Sequence, residues 1–214
     1  MKCYIKDYPR PQFMRTDWEN LNGTWDFGFD DENAGEKEKW YQEFKGDKKI
    51  NVPFTYETKL SGIQDETRHD FIWYHRTINV DGVKLENNRY ILHFEGSDFI
   101  TKVWVNGAYA GSHRGGYARC SFDVTNLVHD GENELTVKVE DSFDTQQPRG
   151  KQRWINENFG CWYVQTTGIW KTVWSEYVPK ISLASVKMTP DLQNAALKLE
   201  YEVAAAEKDL DDDL

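Results

Sequence analysis

Short apolar segments recur along the chain, and several of them alternate with a period of two residues. In residues 135–139 the side chains of Leu135, Val137 and Val139 fall on one face of an extended strand, with polar side chains on the other. Such a strand has one buried and one solvated face, which is typical of antiparallel sheets. Strands are predicted over residues 24–29, 73–80, 90–94, 102–105, 120–124, 135–139 and 171–177.

Turn signals separate these segments. Asn106-Gly107 lies between apolar runs and predicts a hairpin with a type I′ turn, since both central residues of that turn need positive φ. Residues 129–133 predict a second turn. One helical turn is predicted over residues 17–22, closed by Gly23. Many short strands with little helix predict an all-β fold, either a sandwich or a barrel.

Residues 141–168 interrupt this rhythm with a stretch rich in Gln, Arg, Asn and Gly. Loops longer than about 15 residues are uncommon in compact domains, and they tend to be functional or disordered. This stretch contains Trp154, Phe159, Trp162 and Tyr163, which makes it too aromatic for disorder. We therefore predict an ordered surface loop.

A second alternating pattern begins after residue 179, with apolar positions in residues 181–183 and 197–203. Two strands cannot enclose a core. We interpret residues 1–179 as one complete β domain and residues 180–214 as the start of a second, incomplete one. The alternative is a C-terminal extension that folds onto the first domain. The acidic run at 209–213 is interpreted as solvated charge.

Composition narrows the class of protein. A hydrophobic content of 39% with nine Trp is typical of an ordered globular chain. The net charge of −10 argues against nucleic-acid binding, since the only basic cluster is Arg149, Lys151 and Arg153. The N-terminus has no apolar signal sequence, and no segment approaches the roughly 18 apolar residues that cross a membrane. We expect a cytoplasmic protein without membrane contacts.

Metal and cofactor chemistry is not indicated by the sequence. Cys3, Cys120 and Cys161 match no disulfide framework and no zinc pattern, so we expect three free thiols. The five His residues lack metal-ligand spacing, and no phosphate-binding glycine loop or nucleophile elbow is present. We predict no metal site and no cofactor.

A series of short motifs in the predicted strands and turns carries a family resemblance. The motifs are LNGTWDF (21–27), VPFTYE (52–57), WYHR (73–76), LHFEG (92–96), VWVNG (103–107), HRGGY (113–117), FDVT (122–125) and TGIWKTVW (167–174). Each motif alone is weak evidence. Together, and in this order across residues 15–178, they resemble the N-terminal domain of family 2 glycoside hydrolases, the β-galactosidase and β-glucuronidase group.

The resemblance implies a specific domain order. Residues 1–179 would form a galactose-binding-like jelly-roll β-sandwich, and residues 180–214 would begin an immunoglobulin-like β domain. In that family both catalytic glutamates lie in a later (β/α)₈ barrel, and no part of this chain resembles the barrel. The resemblance therefore implies a retaining β-glycosidase as the parent protein, with no catalytic residue here and an inactive 214-residue chain. Its expected partners are a carbohydrate substrate, the barrel of the same polypeptide and a possible second copy in a homo-oligomer.

The loop holds the candidate substrate-binding residues. Sugars present flat apolar CH faces, so their sites combine aromatic rings with polar side chains. The candidates are Trp154, Trp162, Tyr163, Arg153 and Gln165. Several family members place an Asp from this loop against the sugar, and the alignment of the motif puts Trp162 or a neighbour at that position. The galactose or glucuronate contacts of those members therefore cannot be carried over, and stacking would replace hydrogen bonds.

Other interpretations of the loop and of the chain stay open. The rings could instead fold the loop onto its own sandwich or onto the barrel. The whole chain could be a stand-alone carbohydrate-binding module, which would need no barrel. It could also be a purely structural or interaction domain with every aromatic ring buried.

Overall fold

The alternating segments form strands that assemble into two facing antiparallel sheets. The computed structural model describes residues 7–144 and 146–205. The strands are β1 (Trp18–Asn20), β2 (Gly23–Phe29), β3 (Lys48–Val52), β4 (Phe71–Val80), β5 (Asn88–Phe94), β6 (Ser97–Asp98), β7 (Ile100–Val105), β8 (Ala108–Arg114), β9 (Cys120–Asp123), β10 (Gly131–Glu140), β11 (Gly168–Ile169), β12 (Val173–Pro179), β13 (Ser182–Asp191) and β14 (Ala196–Ala204). The helical elements are α1 (Gly82–Leu85) and 3₁₀ turns at Pro11–Phe13 and Lys59–Ser61.

The two sheets enclose one apolar core. A six-stranded sheet has the order β3-β2-β4-β10-β7-β8, and a four-stranded sheet has the order β1-β12-β5-β9. The side chains of Leu135, Val137 and Val139 all point into the core and are fully buried, as their alternation predicts. The prediction of an all-β jelly-roll sandwich is confirmed.

The outer face of the six-stranded sheet is covered, which the alternation did not predict. Residues 30–46 lie across it: Trp40 packs on Trp73 at a centroid distance of 5.9 Å, and Tyr41 stacks on Trp104 at 5.3 Å. Lys138, an outward position of β10, is consequently only 1% exposed. A segment that follows no strand period can still bury a sheet face when it supplies aromatic rings at the right places.

The outer face of the four-stranded sheet is covered by the first described residues. Tyr8 packs against Trp174 at 5.1 Å and donates its hydroxyl to Glu176 at 2.8 Å. The predicted helical turn over residues 17–22 is wrong, because Trp18–Asn20 extends as β1 and pairs with β12. In that conformation Trp18 also packs on Trp174 at 6.4 Å, a contact that favours the strand.

The predicted hairpin at Asn106-Gly107 is confirmed. Both residues have positive φ, 51° and 76°, and they connect β7 to β8. Gly131, in the second predicted turn, also has positive φ and begins β10. Cys120 and Cys161 are free thiols, buried and exposed respectively, whereas Cys3 lies outside the described residues.

Strands β13 and β14 form a separate hairpin with two unlike faces. Opposed pairs such as Met188 and Leu199, or Val186 and Tyr201, make one face apolar, and most of its side chains are exposed. The other face is polar and carries the Lys187–Glu200 ion pair. The acidic run at 209–213 lies outside the described residues.

None of the helical turns described in residues 7–144 and 146–205 has the length and apolar content needed to cross a membrane.

Candidate functional site

The long loop stands at one end of the sandwich. It leaves β10 after Glu140 and returns at β11, which pairs with β6. We call residues 141–167 the aromatic loop. Its described part is ordered by its own backbone hydrogen bonds: Arg153 N donates to the Tyr163 carbonyl at 2.6 Å, and Tyr163 N donates to the Lys151 carbonyl at 2.8 Å. The prediction of an ordered loop agrees with this structure.

Three rings of the aromatic loop pack on one another near its tip. The Trp154 ring lies 4.5 Å from Trp162 and 5.1 Å from Phe159, both in edge-to-face geometry. We call these three residues the aromatic cluster. All three are partly buried, while the neighbouring Tyr163 is 61% exposed. The rings therefore form a self-supported surface feature with open edges.

Arg153 and Gln165, also candidates from the sequence, lie inside the base of the loop. The Arg153 guanidinium donates to Gln165 Oε1 at 2.9 Å, to Asn158 Oδ1 at 3.3 Å and to the Glu66 carbonyl at 2.6 Å. Gln165 Nε2 donates to the Thr67 carbonyl at 3.3 Å. Both side chains are under 10% exposed. Their contacts tie the loop to the segment that precedes β4.

An open cleft lies beside these contacts. Its volume is about 560 Å³, and its lining residues are Glu66, Thr67, Arg68, Arg153 and Asn156. The sequence analysis did not identify residues 66–68, because 87 positions separate Glu66 from Arg153 and nothing in either segment signals the contact. The cleft is large enough for a small polar ligand.

Three buried carboxyls, one of them on the first residue of the aromatic loop, bind side chains and backbone of the loop, and the sequence analysis did not identify them. Asp98 Oδ2 accepts a hydrogen bond from Gln152 Nε2 at 2.8 Å. Asp141 Oδ2 accepts from Thr167 Oγ1 at 3.2 Å, and Glu57 Oε1 accepts from Thr167 N at 3.0 Å. We call Glu57, Asp98 and Asp141 the carboxyl anchors.

Burial dominates the electrostatics of the carboxyl anchors. It raises the pKa of Glu57 to about 7. Burial, with the nearby charge of Asp141, raises the pKa of Asp98 to about 6. Burial also raises the pKa of Asp141, against the opposing charge of Arg149. Removing a carboxylate from water disfavours its charged form, so these groups hold protons at higher pH than exposed acids do.

A second open cleft, of about 620 Å³, lies at the opposite end of the sandwich. Its polar groups bind one another: Lys84 Nζ contacts Asp17 at 2.5 Å, and the Asp81 amide donates to the Tyr177 hydroxyl at 2.7 Å. Among the described residues, the one cation that lines this cleft, Lys84, is thus already paired. The aromatic loop is the better candidate site, since it combines partly exposed rings with an adjacent cleft.

Comparison with known proteins identifies relatives of this chain. The model of the family described as "Glycosyl hydrolases family 2, sugar binding domain" matches residues 18–174. A putative β-glucuronidase of Formosa agariphila is 32% identical over 143 residues, which are 65% of this chain and 16% of that protein. A β-galactosidase of Thermoanaerobacter pseudethanolicus is 26% identical over 205 residues, 92% of this chain and 25% of that protein.

Solved structures agree with the fold. A β-glucuronidase of an uncultured Clostridium species superposes with a TM-score of 0.68 at 25% identity, covering 89% of this chain and 34% of that one. A Ruminococcus gnavus β-glucuronidase gives 0.72 at 19% identity, covering 91% and 34%, which supports the fold alone. This chain thus spans about a third or less of the length of these relatives. Since the family match extends over residues 18–174 of 214, the chain belongs to the glycosyl hydrolases of family 2 and carries their sugar binding domain.

Proposed function

We propose that this chain is the non-catalytic N-terminal part of a retaining β-glycosidase that hydrolyses terminal β-linked sugars. The sandwich would scaffold a catalytic barrel, and the aromatic loop would form part of the wall of the sugar pocket. The observation that carries the proposal is the aromatic loop itself: an ordered, multiply anchored loop with partly exposed rings, in a domain of a sugar-binding family.

The candidate residues divide into two roles under this proposal. Trp154, Trp162 and Tyr163 would offer ring surface to the apolar CH face of a sugar. Arg153 and Gln165 are buried and hydrogen-bonded within the protein, so they would act mainly by holding the loop at the edge of the cleft. The motif alignment puts Trp162 or a neighbour where several family members place an Asp, and stacking on a ring would there replace hydrogen bonds to the sugar.

The chain alone is expected to be catalytically inactive. A retaining glycosidase needs two carboxyl groups about 5–5.5 Å apart on either side of an accessible glycosidic bond. The carboxyl anchors have the raised pKa of a general acid, yet each is under 10% exposed and bound to the aromatic loop. A buried group engaged in this way cannot reach a substrate.

We also infer that β13 and β14 begin the next β domain. An alternating hairpin with one apolar and one polar face is half of a packing interface, and its apolar side chains are exposed in this chain. The similarity to the T. pseudethanolicus β-galactosidase covers 92% of the chain and therefore reaches beyond residue 179. The expected cover for this face is the rest of an immunoglobulin-like domain.

Two finer properties complete the proposal. An exposed free thiol at Cys161 fits a reducing, cytoplasmic setting, since disulfides accumulate in oxidising compartments. A homo-oligomer remains a prediction of the family resemblance, and light scattering of the complete gene product tests it.

A stand-alone carbohydrate-binding module is the second candidate function. The exposure of Tyr163 favours it, because a binding module needs an accessible ring without help from a barrel. Titration of this chain with β-linked oligosaccharides separates the two: a module binds sugar alone, whereas a pocket wall needs its barrel for most of the affinity.

The decisive test compares hydrolysis of a panel of β-linked aryl glycosides by this chain and by the complete gene product. We expect only the longer protein to cleave one of them. In that protein, Trp162→Ala should raise KM about fivefold or more, since an aromatic ring stacked on a flat ligand contributes on the order of 1–3 kcal/mol. Tyr109→Ala is the matched control, because Tyr109 is 54% exposed on β8 and lies outside the loop. Hydrolysis by the 214-residue chain alone would refute the proposal.

A further inference from the structure

The carboxyl anchors bring three acids from different elements to the base of one loop. Glu57 follows β3, Asp98 ends β6 and Asp141 follows β10. Their exposed fractions are 3%, 3% and 7%. Gln152, which donates to Asp98, also accepts from the Thr166 amide at 2.8 Å. Both halves of the aromatic loop therefore depend on acceptor oxygens that the carboxyl anchors supply.

Positive charge at this base is scarce. Arg149 Nη2 lies 3.7 Å from Asp141 Oδ1 and has no hydrogen-bond partner among the described residues. The charge of Arg149 also lowers the pKa of Asp98, whereas the charge of Asp141 raises it. Arg68 lies further out and is committed to a bidentate pair with Asp70, whose charge opposes ionisation of Asp141.

Within the part of the chain that the structure describes, no cation pairs with Glu57. Hydrogen bonds from Thr55, from Thr167 and from its own backbone act to lower its pKa, but burial outweighs them. Tyr56 and Tyr74 lie close enough to interact with its charge. Phenols do not compensate a carboxylate charge, and burial raises the pKa of both tyrosines, so both stay neutral. Glu57 is thus enclosed by neutral groups.

One oxygen of Glu57 and one of Asp98 are buried and have no hydrogen-bond partner within residues 7–144 and 146–205. They are Glu57 Oε2 and Asp98 Oδ1. Asp98 Oδ1 lies against Gly116, where an added Cβ would collide with it, so backbone rather than water faces this oxygen. An isolated buried carboxylate is far costlier than a neutral acid, and such a group takes up a proton instead.

We propose that Glu57 and Asp98 are positioning residues that dock the aromatic loop in their protonated forms, so that loop placement is coupled to proton uptake. In the docked state both carboxyls are neutral and accept hydrogen bonds from the loop. When the loop detaches, water reaches both groups and they release their protons. The consequence for sugar binding rests on the proposed function of the loop.

The sign of the coupling follows from the direction of the shifts. The docked state binds more protons than the detached state wherever the docked pKa is the higher one. Docking is therefore fully favoured below the ordinary values of 3.8 for Asp98 and 4.5 for Glu57. It weakens as pH rises through about 6 and about 7 and is weakest above that range.

Hydrogen exchange of the 214-residue chain tests the proposal without any sugar. Protection of peptides from residues 146–168 is measured from pH 5 to pH 8 and normalised to the intrinsic exchange rate at each pH. We expect protection to fall at least about tenfold across this range, the change produced by one unit of pKa difference. Peptides from the middle of β4 and β10 should change far less.

Two conservative variants and one control sharpen the measurement. Asp98→Asn and Glu57→Gln keep an acceptor oxygen but cannot ionise, so each should flatten the profile and the pair should remove most of its slope. The remainder comes from Asp141, whose pKa burial also raises. Glu157→Gln, an exposed position on the same loop, should keep the full slope. If a variant fails to fold, carboxyl ¹³C titration of the unaltered chain replaces it, with midpoints above pH 5.5 expected for both acids.

A flat profile in the unaltered chain, an unchanged slope in both variants, or midpoints near pH 4 would overturn the inference. Its failure is distinct from failure of the proposed function. If Trp162→Ala leaves KM unchanged while loop protection still follows pH, the sugar proposal fails and the coupling stands. If protection is flat while Trp162→Ala raises KM, the coupling alone fails.

Discussion

At the scale of single residues, Glu176 is the ionic centre of the covered outer face of the four-stranded sheet. It is 1% exposed and accepts from Arg15 at 3.0 Å, from Arg10 at 3.2 Å and from the Tyr8 hydroxyl at 2.8 Å. His93 Nε2 lies 3.1 Å away. Burial alone would raise its pKa, but the hydrogen bonds from His93 and Tyr8 and the neighbouring charges hold it at about 2.

Glu176→Gln should lower the free energy of unfolding by about 2–3 kcal/mol, because it leaves partly buried cations without their counter-charge. Urea denaturation at pH 7 measures the change. Glu200→Gln is the control, since its ion pair with Lys187 is exposed and such pairs contribute less than about 1 kcal/mol. A loss for Glu176→Gln no larger than that of the control would show that the arginines find equivalent partners in water.

For single residues, the composition of the aromatic loop predicts only some of the properties of the candidate site. Rings in a polar loop suit a sugar, which makes Trp154, Trp162 and Tyr163 candidates, and all three have exposed surface. The same composition makes Arg153 and Gln165 candidates, yet both are buried at the loop base. The sequence does not show whether a polar side chain will bind a ligand or the protein's own backbone, because the tertiary fold determines which groups lie next to it.

At the scale of elements, the return of the aromatic loop to the sandwich depends on Gly168. This residue has φ +91°, and an added Cβ would collide with the Tyr74 hydroxyl, which accepts from Ile169 N at 3.2 Å. Gly168→Ala should destabilise the chain by about 2–4 kcal/mol, combining backbone strain with the displaced ring. The pairing of β11 with β6 should also loosen. Thermal unfolding and hydrogen exchange at Ile169 measure the two effects.

Gly131→Ala is the matched control for that prediction. Gly131 has a similar φ of +86°, but nothing lies within 4 Å of an added Cβ, so the substitution adds strain without a collision. It should cost only about 1 kcal/mol. Equal losses in the two variants would mean that Tyr74 moves aside freely and that its hydroxyl does not fix the loop.

Most strands of the two sheets were predictable from the sequence, but the segments that cover the outer faces of the sheets were not. Short apolar runs, several of them alternating with period two, located β2, β4, β5, β7, β9, β10 and β12, each of which has a face in the core, but they did not locate β3. Residues 30–46 bury the opposite face through Trp40 and Tyr41, which follow no period and act on strands distant in sequence. β1 was missed for a different reason: its three residues, which pair with β12, are too few to show alternation.

At the scale of the whole molecule, the pH of greatest stability should be set by two kinds of buried acid, one with a lowered pKa and the other with a raised pKa. Glu176 contributes stability above its ordinary value of 4.5, and this is lost as pH falls towards about 2. Glu57 and Asp98 act in reverse: their raised pKa values make stability fall as pH rises through about 7 and about 6. The net charge of −10 adds repulsion on the neutral side.

We therefore expect Tm to be highest between about pH 4 and pH 5.5 and to fall towards both pH 2.5 and pH 8. Scanning calorimetry across this range measures the profile. The double variant Glu57→Gln, Asp98→Asn should raise Tm at pH 8 relative to the unaltered chain and change it little at pH 4.5. A Tm that climbs steadily to pH 8 in the unaltered chain would mean that water or a cation reaches the loop base. The anchors would then be ordinary carboxylates, and the aromatic loop would be held without proton uptake.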